Sequence, residues 1–254
     1  MFVSLVALVQ TSNYVLLSIW GIFSAILFLT QGKSVRLFIL TSIFFGIGFF
    51  LYLYASSHWF LNAHSRELHI FLNRLALLLI LLPFLGLSLL YKSPLLHYWN
   101  KPKWNEMIHF PLTWSGFHQV KIKYFLLIAL AINIVTFTPF MIRNGWGFIQ
   151  DIWLVAIIFS ITNAVFEEFI WRGVLLSRFS EQLGDKWAVI ITSLGFGLQH
   201  YSLGFSWAMC ITFSIGGFFY GGVTVQSKSI IPALIWHITF NFLMVFSGLI
   251  ISNV

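Results

Sequence analysis

Apolar residues follow one another in blocks along this chain, at about 13–31, 36–56, 70–91, 124–142, 148–166, 187–203, 206–225 and 230–252. Each block comes near the ~20 mostly apolar residues that a helix needs to cross a hydrocarbon core of about 30 Å. The pattern predicts an all-α fold, a polytopic membrane bundle of about eight transmembrane helices, with no separate soluble domain. The longest polar interruption, 92–123, mixes Pro, Trp, His and Lys and reads as an interfacial loop, its rings and lysines at the headgroups. The chain divides into N-terminal helices with that loop, 1–145, and a C-terminal core, 146–254.

Composition sharpens this picture. Of 254 residues, 59% are hydrophobic, only 8% are charged and 29 are Phe, more apolar surface than a soluble domain of this size buries. The first block lacks the basic start, short apolar run and small-residue cleavage site of a signal peptide, so it reads as a retained segment. One cysteine, Cys210, excludes an internal disulfide and a cysteine-cluster metal site. The net charge of +7 sits in short loops and not along one amphipathic face, which points to an anionic membrane surface and away from nucleic acid.

Orientation follows from the same charges. With the N-terminus outside, inner loops hold Lys33, Arg36, Lys92, Lys101, Lys103, Lys121, Lys123, Arg178, Lys186 and Lys228, and outer loops hold Arg66 and Arg143. Ten against two predicts both termini outside, in the plasma membrane. That assignment leaves Arg74, Arg172, Glu167 and Glu168 within apolar blocks.

An ionised side chain near a helix centre costs about 2.5–3.5 kcal/mol on insertion scales, so the three charges of "EEFIWR" need partners or a wet cavity. At about 100° per residue, Glu168 and Arg172 share a helix face and can pair. Glu167 points roughly 100° away from Glu168 and about 140° from Arg172, which leaves it without a local partner and available as a base. The bland alternative is that "EEFIWR" marks the cytoplasmic end of a span, where such charges are ordinary.

Two further polar sites occur where apolar residues are expected: His200 in "GFGLQH", and His237 with Asn241 in "WHITFN". Each His alone reads as a packed or hydrogen-bonded residue. His237 and Asn241, however, are four apart and share a face. Counted from the nearest inner-loop basic residue, Glu167 is 11 residues from Arg178, His237 is 9 from Lys228 and His200 is 14 from Lys186. At ~1.5 Å per residue, the depths are roughly 16, 14 and 21 Å, compatible with one layer. Cys210 reads as inert packing, Gly217 and Gly221 as close helix contacts, and Arg74 as a side chain snorkelling to the interface.

Three ordered motifs then carry a resemblance: Glu-Glu-x-x-x-Arg at Glu167, Glu168 and Arg172, Phe-x-x-x-His at Phe196 and His200, and His-x-x-x-Asn at His237 and Asn241. Over roughly 150–245 the chain resembles the CAAX prenyl endopeptidase and bacteriocin-processing family of intramembrane proteases, also called the Abi family. The resemblance implies a helical membrane endopeptidase with its polar cavity built from the C-terminal half. It implies that Glu167 and His200 activate a water, that His237 and Asn241 stabilise the oxyanion, and that Glu168, Arg172 and Phe196 support the site. The implied substrate is a membrane-associated or lipidated peptide or protein, such as a bacteriocin or pheromone precursor.

The metalloprotease label often given to such proteins raises zinc, for which Glu167, His200 and His237 are the available ligands. The absence of a His-Glu-x-x-His helix and the presence of the Asn241 amide favour a reading that requires no metal. Two other classes stand beside the protease: a non-proteolytic membrane immunity or scaffold protein, and a proton-coupled transporter.

Overall fold

The computed structural model describes residues 1–11, 13–59, 65–91 and 95–250. Lys92 of the inner-loop tally and the end of the last apolar block lie outside them. The chain opens with a short apolar helix, α1 (Phe2–Thr11), just ahead of the expected first segment. Phe2, Leu5 and Val6 of α1 are buried, and the Phe2 ring packs against Phe45, Trp171 and Phe179. The first expected segment is α2 (Tyr14–Thr30), N-capped by Asn13, whose side chain accepts from the Leu16 N–H. Its apolar residues are mostly exposed, as on a lipid-facing helix.

Next come α3 (Lys33–His58), α4 (Arg66–Leu75) and α5 (Leu78–Tyr91), so the block at 70–91 is two helices with a break at Ala76 and Leu77. Ser65 caps α4 by accepting from the Leu68 N–H.

The segment expected as an interfacial loop contains an antiparallel hairpin, β1 (Met107–Leu112) and β2 (Ser115–Lys121), the one departure from an all-α fold among the described residues. Its tip packs against the helices. Thr113 is fully buried, Trp114 meets Phe218 edge to face, and Phe110 packs on Phe125. A Cβ on Gly222 would come within 2.4 Å of Thr113, so glycine there admits the hairpin.

The fourth and fifth blocks are the limbs of α6 (Ile122–Glu168), separated at Gly145, whose φ of 78° is a left-handed value that breaks the helix. A π-helical turn (Phe169–Leu175) leads into α7 (Leu176–Leu183). Then follow α8 (Asp185–Gln199), a 3-10 turn (His200–Leu203), α9 (Trp207–Ser227) and α10 (Ile231–Phe246).

Helix α6 packs mainly on α10, and α8 on α9. The second contact is close because α9 offers glycine: a Cβ on Gly217 would lie 3.1 Å from the Ser193 Cα, and Gly221 meets Val189. Cys210 is buried in the same seam.

Among the described residues, four stretches are long and apolar enough to cross a membrane: Lys33–His58, Arg66–Gly86, Ile122–Leu183 and Trp207–Ser227. The expected count of eight is therefore not reached by length. The third stretch, at 62 residues, takes in two expected spans. At 15 residues α8 is about 22 Å long, short of the ~30 Å core.

Candidate active site

The residues of "EEFIWR" are interior. Glu167 is 2% exposed, Glu168 0% and Arg172 1%, which removes the reading of this stretch as a helix end in water. The π-helical turn begins directly after Glu168 and carries Arg172, and an expanded turn of this kind is common where a functional side chain must be aimed.

Arg172 donates from one guanidinium nitrogen to Glu168 Oε1 at 2.8 Å and from the other to the Gly217 carbonyl at 3.2 Å. Its guanidinium lies over Phe196 and Tyr220, 4.3 and 5.1 Å from the ring centroids. The paired geometry expected from the four-residue spacing is present.

Glu168 Oε1 also lies 2.8 Å from His237 Nδ1. An ionised carboxylate only accepts, so Nδ1 carries the proton and Nε2 is the nitrogen left for other partners. That Nε2 is 3.6 Å from Glu167 Oε2. The His237 ring stacks on Tyr220, with 5.1 Å between centroids, and meets the edge of Phe196. His200 Nδ1 lies 2.8 Å from the Phe196 carbonyl. A carbonyl accepts, so His200 donates there and presents Nε2 as its free nitrogen.

Glu167 differs from the expectation that it has no local partner. Asn163, one turn earlier on α6, donates to its Oε2 at 3.0 Å, and Gln199 on α8 donates to its Oε1 at 2.8 Å. The residue four positions back shares a helix face as surely as the one four ahead. Asn163 in turn accepts from Arg74 at 2.8 Å. Arg74 does not snorkel: it is 6% exposed, donates to Tyr52 at 3.2 Å and to Asn73, and lies over the Phe159 ring.

A cavity of about 400 Å³ adjoins this network. His200, His237 and Asn241 all line it, together with Phe196, Asn163 and Tyr220. Glu167, Glu168 and Arg172 are not among its wall residues. The Asn241 amide nitrogen is buried without a hydrogen-bond partner among the described residues. The expectation of a cavity built from the C-terminal half does not hold for its wall: Arg74, Phe110, Pro111, Phe125 and Asn133 contribute to it, brought in by α4, the hairpin and the first limb of α6.

Both Glu167 oxygens accept amide N–H groups, and His237 Nδ1 is committed to Glu168. No three His, Cys, Asp or Glu side chains among the described residues are placed to hold a metal ion. Glu167, His200 and His237 do not fit a zinc site in this arrangement.

No curated protein and no solved structure matches the chain. The family model "Type II CAAX prenyl endopeptidase Rce1-like" matches residues 149–243, the segment that carries Glu167, Glu168, Arg172, Phe196, His200, His237 and Asn241. Over that segment, with its buried Glu-Glu-x-x-x-Arg turn facing His237 and the Asn241 helix, the chain is similar to the Rce1-like type II CAAX prenyl endopeptidases, which supports the resemblance drawn from the three motifs.

Proposed function

We propose that this protein is an intramembrane endopeptidase that hydrolyses a peptide bond of a membrane-associated or lipidated substrate, using a water activated by Glu167 and His200. The observation that carries the reading is that His200, His237 and Asn241 line one largely apolar cavity while Glu167 lies behind that wall, 3.6 Å from His237 Nε2.

In this mechanism the water lies between Glu167 and the free Nε2 of His200, and Glu167 takes its proton as the oxygen attacks the carbonyl carbon. The carbonyl oxygen becomes an oxyanion that the Asn241 amide meets, with His237 beside it on the same helix face. Glu168 accepts from His237 Nδ1 and orients the ring, while Arg172 holds Glu168 in place. When the carbon–nitrogen bond breaks, Glu167 returns its proton to the leaving amine. No metal takes part in any step.

The same proposal places the chain in the plasma membrane with both termini outside, treats 146–254 as the catalytic core, and names a peptide or membrane protein as the partner. Purified Glu167→Gln, His200→Ala and His237→Ala variants test it: each should insert and fold but lose substrate cleavage. Full activity in Glu167→Gln and His237→Ala would overturn the mechanism. A folded, inserted wild type that cleaves nothing would return the scaffold and transporter readings.

A further inference from the structure

Arg74 stands apart from the other charges of the site. Glu168 and Arg172 pair with each other, and Glu167 is held by two amides. Arg74 donates only to the neutral oxygens of Asn163, Tyr52 and Asn73, and no carboxylate lies within ion-pairing distance of it among the described residues. These bonds occupy three of the five N–H groups of a guanidinium. A buried cation is retained where something compensates its desolvation, and neutral acceptors compensate it less than a carboxylate does.

Its surroundings favour one kind of ligand. Arg74 forms part of the cavity wall, and among the described residues that wall contains no acid. Two amide nitrogens of the wall, on Asn133 and Asn241, are buried without a partner. The polar side of the cavity thus offers N–H donors and a positive charge, against a lining otherwise dominated by Phe and Ile side chains. Such a wall favours an anionic group on an apolar ligand.

We propose that Arg74 is a substrate-binding residue that pairs with a carboxylate of the peptide as it lies in the cavity. The proposal rests on the endopeptidase reading, and its ligand chemistry is a carboxylate, whether the C-terminal one or that of an Asp or Glu side chain. Arg74 lies outside the segment that matches the family model. It also touches Asn163, which touches Glu167, so a loss of activity on substitution does not by itself identify its role. The telling quantity is the preference between matched substrates.

Three peptides of one sequence serve as probes: one with a free C-terminal carboxylate, one with a C-terminal carboxamide, and one whose acidic side chains are replaced by their amides. Each is assayed for cleavage and for direct binding with purified wild type, Arg74→Gln and Arg74→Lys. A charge-assisted contact predicts that wild type prefers the peptide carrying the recognised carboxylate by about 10- to 100-fold in kcat/KM and in affinity. Loss of preference with the carboxamide identifies the C-terminus, and loss with the side-chain amides identifies an acidic side chain.

Arg74→Gln should bring that ratio close to one, and Arg74→Lys, which keeps the charge but not the planar fork, should retain part of it. An unchanged ratio in Arg74→Gln, with both substrates slowed equally, would overturn the proposal and leave Arg74 as a residue that positions Asn163 and Glu167. Absence of preference in wild type would overturn it as well. If Arg74→Gln does not fold, the ratio in Arg74→Lys decides, and a ratio equal to that of wild type is the overturning result. The binding measurement needs no cleavage, so a protein that cleaves none of the peptides still reports on the carboxylate while refuting the endopeptidase reading separately.

Discussion

Arg172→Met removes a cation from the protein interior while keeping most of the side-chain volume. The lost contacts are the 2.8 Å bond to Glu168, the 3.2 Å bond to the Gly217 carbonyl, and the guanidinium's place over Phe196 and Tyr220. Glu168 is left fully buried with His237 as its remaining partner, and its Oε2 already has none. Removing one member of a buried pair costs about 3–5 kcal/mol, chiefly because the other charge stays behind. For a chain of this size each kcal/mol lowers Tm by roughly 2–4 °C, so the variant should melt roughly 6–20 °C below wild type. The double variant Glu168→Gln with Arg172→Met leaves no buried charge at this pair and should recover more than half of that loss. Thermal unfolding of the purified proteins in one detergent, followed by intrinsic fluorescence, reads all three. If Arg172→Met melted within about 2 °C of wild type, or the double variant melted no higher than the single one, the pair would not be the anchor that its geometry describes.

Asn241→Leu should lower kcat by about 10²- to 10³-fold, the loss typical of one oxyanion donor, with little change in Tm because the amide nitrogen it deletes has no partner to leave behind; steady-state kinetics beside a melting curve checks both halves. Gly197→Ala should destabilise the α8–α9 seam by about 1–3 kcal/mol or more, since its Cβ would lie 2.0 Å from Ser214 Oγ and 2.2 Å from the Cys210 carbonyl; a melting temperature equal to that of wild type would show that the helices separate at no cost.

Much of the helical layout was legible because a block of apolar residues near 20 long has few alternatives to a membrane helix. The windows at 36–56 and 206–225 correspond to α3 and α9 within a few residues. What window averaging hides is a break inside an apolar block. Ala76 and Leu77 interrupt the third block without any polar or glycine signal, and the turn is visible only in the backbone. The hairpin was hidden for a different reason. Its 92–123 surroundings are aromatic and basic like a headgroup loop, and only Gly222, on a helix a hundred residues later, makes room for Thr113. Helix α1 is shorter than a span, so a search for spans passes over it even though Phe2 anchors it among Phe45, Trp171 and Phe179.

The candidate site divides along the same line between local spacing and long-range contact. Glu168 with Arg172 and His237 with Asn241 are pairs four apart, and helix geometry alone predicts which face they share. Asn163 obeys the same rule toward Glu167 and was open to discovery by counting backward. Gln199 and Arg74 were not, because their contacts with this site depend on how α8 and α4 pack against α6. Yet the chemistry of these two fixes the orientation of the amides around Glu167. An arginine only donates, so the Asn163 oxygen must face Arg74 and its N–H₂ must face Glu167. With Gln199 donating to the other oxygen, the carboxylate is held on both sides by amide N–H donors. A general base has to be ionised before it can take a proton. The N-terminal half therefore does more than cover the core that carries the motifs: through Arg74, which binds Asn163 of that core, it reaches the proposed base itself, and replacing Asn163 with Leu should lower kcat more than it raises KM.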